Sequence, residues 1–326
     1  MNEHAIHYLC LDMGGTGSRG ALMDAAGREL ARASGPQGAL SLGAERSAGV
    51  VRHIWGKIAE MRGVQMPEKS RTVLGAGIAG AGFSRRLAHL KRQLSDFRAV
   101  HVAGDGYVAL LGATDGKAGS LISVGTGVAA LRLHRDGTVQ SVSGWGFPAG
   151  DAGSGAWIGF QAFSDYLKFL DRVETDRPFD PAPLASLLEE IGTDATQVIR
   201  WQANAEPAEF GRLAPLVVEG AQRNNPYCRC LMDEAAREIG RVARALSRGV
   251  AGEPADDVLH LSGGLGAPLL PYLQQGFGKF NWQLSAGSAV TGAFLLASGK
   301  AQHLSLRPRP GLGVKGNREA AQTPGT

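Results

Sequence analysis

The chain reads as an α/β protein of two related domains that face each other across a cleft. Three observations predict this. An apolar strand, a Gly-Thr-Gly turn, a second strand, an Asp/Gly hairpin and a third strand occur twice, about a hundred residues apart, and repetition of a whole supersecondary unit implies two related domains. The chain has 326 residues, too many for one small core and enough for two domains of ordinary size. Its 47 glycines follow no collagen-like period. They cluster beside apolar strands, where backbone turns sharply or comes close to a ligand.

Residues 6–11 (IHYLCL) read as a buried strand ending at Asp12. The turn Gly14-Gly15-Thr16-Gly17 leads to a second strand, 19–23, and the turn at 24–27 to a third, 29–33. Over 44–62, Val50, Val51, Ile54, Trp55, Ile58 and Met61 recur at helical spacing. Residues 72–79 read as a central strand. Residues 84–95 read as a helix with a solvated basic face (Arg85, Arg86, Lys91, Arg92). A strand at 98–103 runs into Gly104-Asp105-Gly106 and a short helix. The pattern then repeats: strand 119–124, turn Gly125-Thr126-Gly127, strand 128–134, hairpin Asp136-Gly137, strand 138–143. Helical periodicity follows at 156–170, 184–191, 208–222 and 228–248. A strand at 257–261 meets Ser262-Gly263-Gly264-Leu265-Gly266 and a helix after Pro268. Residues 280–285 read as a further strand and 287–299 as a helix of small residues. From Arg307 on, Pro, Gly and polar residues predict a disordered tail.

The net charge is +4, and no run of Lys and Arg is long enough for a nucleic-acid or anionic-membrane patch. No apolar stretch is long enough to span a bilayer, and the first apolar run, 8–11, is too short for a signal peptide. The three cysteines, Cys10, Cys228 and Cys230, form no even framework, which fits a reducing compartment. A cytoplasmic location is therefore expected. Cys228 and Cys230 are too few for a zinc site and read as ordinary thiols.

Three glycine loops, 14–17, 125–127 and 263–266, each follow a buried strand. Phosphate needs backbone N–H groups with no Cβ in the way, and Thr16 and Thr126 add hydroxyl donors. Two matched loops can pinch a polyphosphate between two domains. Asp12, beside the first loop, is placed to hold Mg²⁺ through water; its plainer role is a turn-forming Asp. Asp105, at a strand-to-helix junction, suits a helix N-cap and, compatibly with that, the carboxylate that orients a hydroxyl and accepts its proton. In the segment 144–155 (GWGFPAGDAGSG), Trp145 and Asp151 combine an aromatic face with a carboxylate, as sugar sites do. The alternative puts Trp145 and Phe147 in the core and makes Asp151 a helix cap.

DMGGTGSRGAL (12–22), SVGTG (123–127), GWGFPAGDAGSGAWIGFQA (144–162) and LSGGLG (261–266) resemble the motifs of N-acetylglucosamine and glucosamine kinases. These belong with the activator ATPases of benzoyl-CoA reductase and 2-hydroxyacyl-CoA dehydratases (the BadF/BadG/BcrA/BcrD type) in the sugar kinase/heat-shock/actin superfamily. The match runs in order over about residues 6–300 and includes EFGRLAPLVVEGAQRNNP (209–226). The resemblance implies two ribonuclease H-like domains of the actin/hexokinase type around a cleft: 1–116 with a returning helix at 287–303, then 117–286, with a flexible tail at 304–326. It implies ATP and Mg²⁺ as cofactors, Gly14, Gly15, Thr16, Gly125, Thr126 and Gly127 at the phosphates, and Gly263 and Gly264 by the adenosine. Asp105 matches the catalytic base. Asp151 with its neighbours Trp145 and Gly146 matches the sugar site. These kinases often carry an Asn in the loop after the third strand; here that loop (35–41, GPQGALS) has none, leaving Gln37 or Ser41 to take its place. The expected activity is phosphorylation of the 6-hydroxyl of an amino sugar, N-acetylglucosamine first and glucosamine as the alternative. An activator-type ATPase is the rival, and it would need cysteines beside the nucleotide loops. By analogy a homodimer is usual for such folds.

Overall fold

The computed structural model describes residues 6–81, 84–248, 258–301 and 305–306. The first lobe opens with β1 (His7–Met13), β2 (Ser18–Met23) and β3 (Glu29–Gly35), an antiparallel meander. Helix α1 (Ala44–Arg62), strand β4 (Thr72–Ile78), helix α2 (Ser84–Gln93), strand β5 (Ala99–Ala103) and helix α3 (Asp105–Thr114) follow. β4 pairs with β1 in parallel and β5 pairs with β4, which gives the order β3-β2-β1-β4-β5.

The second lobe repeats this with β6 (Gly119–Val124), β7 (Val128–Leu133) and β8 (Thr138–Ser143). Its helices are α4 (Gly155–Leu170), α5 (Ala185–Ile191), α6 (Ala195–Asn204), α7 (Pro207–Gly211), α8 (Leu213–Gln222) and α9 (Pro226–Leu246). Strand β9 (Val258–Ser262), helix α10 (Gly266–Gly276), strand β10 (Asn281–Leu284) and helix α11 (Ala289–Ala297) follow. Read from β8, the sheet runs β8-β7-β6-β9-β10, the order of the first lobe element for element. The predicted duplication is therefore present, and the fold is α/β with two matching lobes.

Period-two alternation along β1 decides what faces the cleft. Leu9, Leu11 and Met13 enter the first-lobe core with Ile54, Leu74 and Leu90. Tyr8 and Cys10 point to the opposite face, against α3 and α11, and Asp12 shares their parity. That face is covered from both sheets: Cys10, Ala21 and Met23 meet Leu121, Leu133 and Val139 through Val108, Leu111, Ala293 and Phe294. Each such burial contributes on the order of 1.5–3 kcal/mol. The returning helix thus fastens the first sheet and the two lobes at once.

Several expectations need correction. β1 runs to Met13, one residue beyond the end expected at Asp12. The stretch 208–222 is two helices broken at Arg212, and α6 was not anticipated. α10 begins at Gly266, before Pro268, with Pro271 inside it. Within the expected flexible tail, Ser305–Leu306 form a short strand, β11, parallel to β8. The tail expected over 307–326 lies outside the described residues. Among the described residues, no helix is long and apolar enough to cross a membrane.

Candidate active site

The first glycine loop is stitched to its surroundings by backbone. Gly14 N–H donates to Gly17 O at 3.0 Å, and Gly38 N–H to Gly14 O at 3.2 Å. Ala79 N–H donates to Met13 O and Leu40 N–H to Ala79 O, both at 2.9 Å. These bonds hold the loop bearing Gln37 against the end of β1 with the Gln37 side chain exposed. Thr16 and Gly15 are exposed, and a Cβ on Gly15 would meet no atom within 4 Å. The N–H groups there are open to an anion.

Asp12 stands in register with Arg19 on β2 and Gly77 on β4. Burial pushes its carboxyl above the ordinary carboxylate range. The Arg19 guanidinium, 3.8 Å away, pulls it back, and the nearby Asp105 charge adds to the rise. This coupling places Asp12 and Asp105 in one electrostatic neighbourhood. Asp105 is the first residue of α3, and the N-cap is Gly104. Its carboxylate is exposed and, among the described residues, accepts no hydrogen bond. The capping role is thereby removed, and the carboxylate remains available at the cleft end of β5.

The second loop is braced by the following helix. Gly155 N–H donates to Gly125 O at 2.8 Å and Ala156 N–H to Thr126 O at 3.1 Å. The α4 N-cap is Ser154, whose Oγ accepts from Trp157 N–H at 3.1 Å. Asp151 is therefore not a cap. It takes φ +62°, a left-handed conformation that Asp tolerates better than most residues. Its Oδ2 lies 2.6 Å from where a Cβ on Gly127 would sit, so a side chain there would push the carboxylate out of place. Its Oδ1 is buried with no hydrogen-bond partner, and a buried acceptor left so points to a ligand. Phe147 packs on Phe210 and Phe160, with ring centroids 5.4 and 5.6 Å apart, so it belongs with the core. Trp145 is 65% exposed and does not. Gly146 follows it in the same exposed loop.

Gly263 takes φ +83°, and a Cβ there would lie 2.3 Å from Val124 O. The turn can therefore close on β6 only with glycine. Gly264 lines a cavity of about 670 Å³ with Gly125, Thr126 and Gly155. The opposite wall is Gly211, Ala214, Pro215 and Val218 from α7 and α8. Sequence reasoning missed this wall: small and apolar residues at helical spacing look the same in a cavity lining as in a core. The cavity belongs to the second lobe, and Gly14 to Thr16 lie on the first. Cys228 is buried and Cys230 donates to Glu234 Oε1 at 3.6 Å; neither lines the cavity.

Open glycine backbone at Gly15, Gly125 and Gly264 fits a polyphosphate and its nucleoside. An all-oxygen donor set of Asp12, water and phosphate suits Mg²⁺, which takes few protein ligands.

Comparison with known proteins identifies the family. The chain is 25% identical over 233 residues to the glucosamine kinase GspK of Vibrio cholerae, covering 72% of this chain and 78% of that one. It is 25% identical over 249 residues to the N-acetyl-D-glucosamine kinase of Dictyostelium discoideum, covering 71% and 76%. The crystal structure of a Chromobacterium violaceum protein, described as a candidate N-acetylglucosamine kinase, superposes with a TM-score of 0.79 at 32% identity. That superposition covers 90% of this chain and 99% of that one. The BadF/BadG/BcrA/BcrD ATPase family model matches residues 9–297. The chain is an ATP-dependent phosphotransferase and belongs to the BadF/BadG/BcrA/BcrD ATPase family.

Proposed function

We propose that this protein is an ATP-dependent hexosamine kinase that phosphorylates the 6-hydroxyl of an amino sugar, N-acetylglucosamine in the first place. The carrying observation is the Asp105 carboxylate, exposed at the start of α3, unspent on capping and electrostatically coupled to Asp12. The kinase names of the two 25% relatives support the acceptor class.

In this reading the nucleoside of ATP occupies the cavity along α8. Its phosphates meet the N–H groups of Gly15 and Gly127 and the hydroxyls of Thr16 and Thr126, while Gly14 and Gly125, whose own N–H groups close the two turns, let the phosphates approach. Asp12 would hold Mg²⁺ through water, and the ion would neutralise charge on the transferring phosphoryl group. The unpartnered Asp151 Oδ1 accepts from sugar hydroxyls, with Trp145, Gly146 and Gln37 around the ring. Asp105 takes the proton of the 6-hydroxyl as that oxygen bonds to the γ-phosphorus and the bond to the β-phosphate oxygen breaks, releasing ADP. Closure of the lobes excludes water and so limits wasteful hydrolysis.

The test is ADP release from Mg·ATP with N-acetylglucosamine, glucosamine, N-acetylmannosamine and glucose, with the product's phosphate position read by NMR. Strong stimulation by one amino sugar, with a 6-phosphate product, is expected. Stimulation by glucosamine alone would move the substrate to the free amine. ADP release indifferent to every sugar would sink the acceptor assignment.

A further inference from the structure

The nucleotide cavity is drawn out along α8. Gly211 marks its phosphate end, since a Cβ there would lie 3.6 Å from Thr126 Cγ2. Beyond Gly211 the lining follows one stripe of α8 from Ala214 through Pro215 and Val218 to Glu219 and Gln222. At about 1.5 Å per residue that stripe runs roughly 12 Å, room for a ribose and a purine beyond the loop. Ala214, Pro215 and Val218 on one side, with Leu265 and Pro268 on the other, are apolar walls for a flat ring. At the far end the polar side chains are Glu219 and Gln222. Gln222, Val218 and Pro268 also line an adjoining cavity of about 620 Å³. Gln222 therefore stands at an opening between the two cavities.

We infer that Glu219 and Gln222 read the edge of the donor's base and select adenine over guanine; the inference rests on the kinase reading above, with ATP as donor. On the edge that carries N7 and the 6-substituent, adenine presents an amino donor beside a ring-nitrogen acceptor, where guanine presents two acceptors. A glutamine amide offers one acceptor and two donor hydrogens and pairs with adenine at two points. Turned over, the same amide also satisfies guanine, so Gln222 alone discriminates poorly. Glu219 supplies the bias, because an ionised carboxylate only accepts. It takes the adenine amino hydrogen and repels the guanine carbonyl. Arg223 Nη2 donates to Glu219 Oε1 at 2.5 Å, fixing the carboxylate and leaving Oε2 for the base.

The experiment is isothermal titration of Mg·ADP and Mg·GDP, without sugar, into the wild type, Glu219→Gln and Gln222→Leu, with melting curves to verify folding of these exposed-site variants. The wild type is expected to bind ADP about tenfold or more tighter than GDP. Gln222→Leu should weaken ADP by about tenfold. Glu219→Gln should bring GDP to within a few-fold of ADP. Equal affinities in the wild type, or an unchanged preference in folded Glu219→Gln, would overturn the inference. If ADP fails to bind at all, the kinase reading falls and takes the inference with it. Discriminating ADP binding in a protein that no sugar stimulates would uphold the inference and remove only the acceptor assignment.

Discussion

In the first lobe, burial and the nearby Asp105 charge raise the Asp12 carboxyl, and the Arg19 guanidinium stands 3.8 Å from Asp12. In the second lobe, Asp165 and Glu234 flank Arg177 at 2.6 and 2.8 Å. Asp165, only 1% exposed, also accepts from the Tyr227 hydroxyl at 3.1 Å, and Arg177 donates further to Gln161 at 2.9 Å. One pair of acids keeps its acceptors open toward the cleft. The other spends them tying the 171–181 segment to α4 and α9. The residue type is the same, so the identity of an acid says little. The number of its lone pairs already used says whether it holds the fold or waits for a ligand.

The largest break in that comparison is Asp105→Asn. It should lower kcat about 10²–10⁴-fold, as loss of a general base does, with ADP affinity retained; a coupled assay beside titration calorimetry measures both. Arg177→Met should cost about 3–5 kcal/mol of stability, because it strands two carboxylates, one fully buried. Urea midpoints would show this, and adding Asp165→Asn and Glu234→Gln should recover part of the loss. Asp12→Asn is the gentlest test and runs the other way. Because the Asp12 carboxyl is raised in the folded state, the native protein holds its proton above the pH at which the unfolded chain has lost it. Between those two values stability falls as pH rises, and the penalty is complete above them. Removing the charge should raise the melting temperature of ligand-free protein by roughly 1–2 °C at neutral pH. The gain should vanish at or below the ordinary carboxylate value. Mg·ATP turnover should be lost in the same variant, the usual exchange of stability against function.

The strands 119–124 and 138–143 were legible to the residue because the Gly125-Thr126-Gly127 turn ends the first and the Asp136-Gly137 hairpin starts the second. The placement of Asp105 at the cleft followed from a strand running into a glycine. Its one-residue offset from the cap position did not, since Gly and Asp both serve as caps. Helix α6 was hidden because Val198 is its one buried residue, so no apolar stripe marks it. Helical periodicity carries straight through Arg212, and the break between α7 and α8 was invisible for that reason. The cavity wall on α8 was unreadable in kind. Only Glu219 and Gln222, polar residues on an otherwise apolar stripe, distinguish it from core.

Helix α11 has a consequence for how the chain comes into being. The strands whose inner face it covers are complete within the first hundred or so residues, but the helix itself is encoded at 289–297. During synthesis Tyr8, Cys10, Ala21 and Met23 must therefore wait, with α3 alone beside them, while the whole second lobe is made. Contacts of such long sequence separation close late and slowly. The first lobe to leave the ribosome is thus the last to be finished, and a chain cut short before Ala289 loses the roof of the lobe it began with.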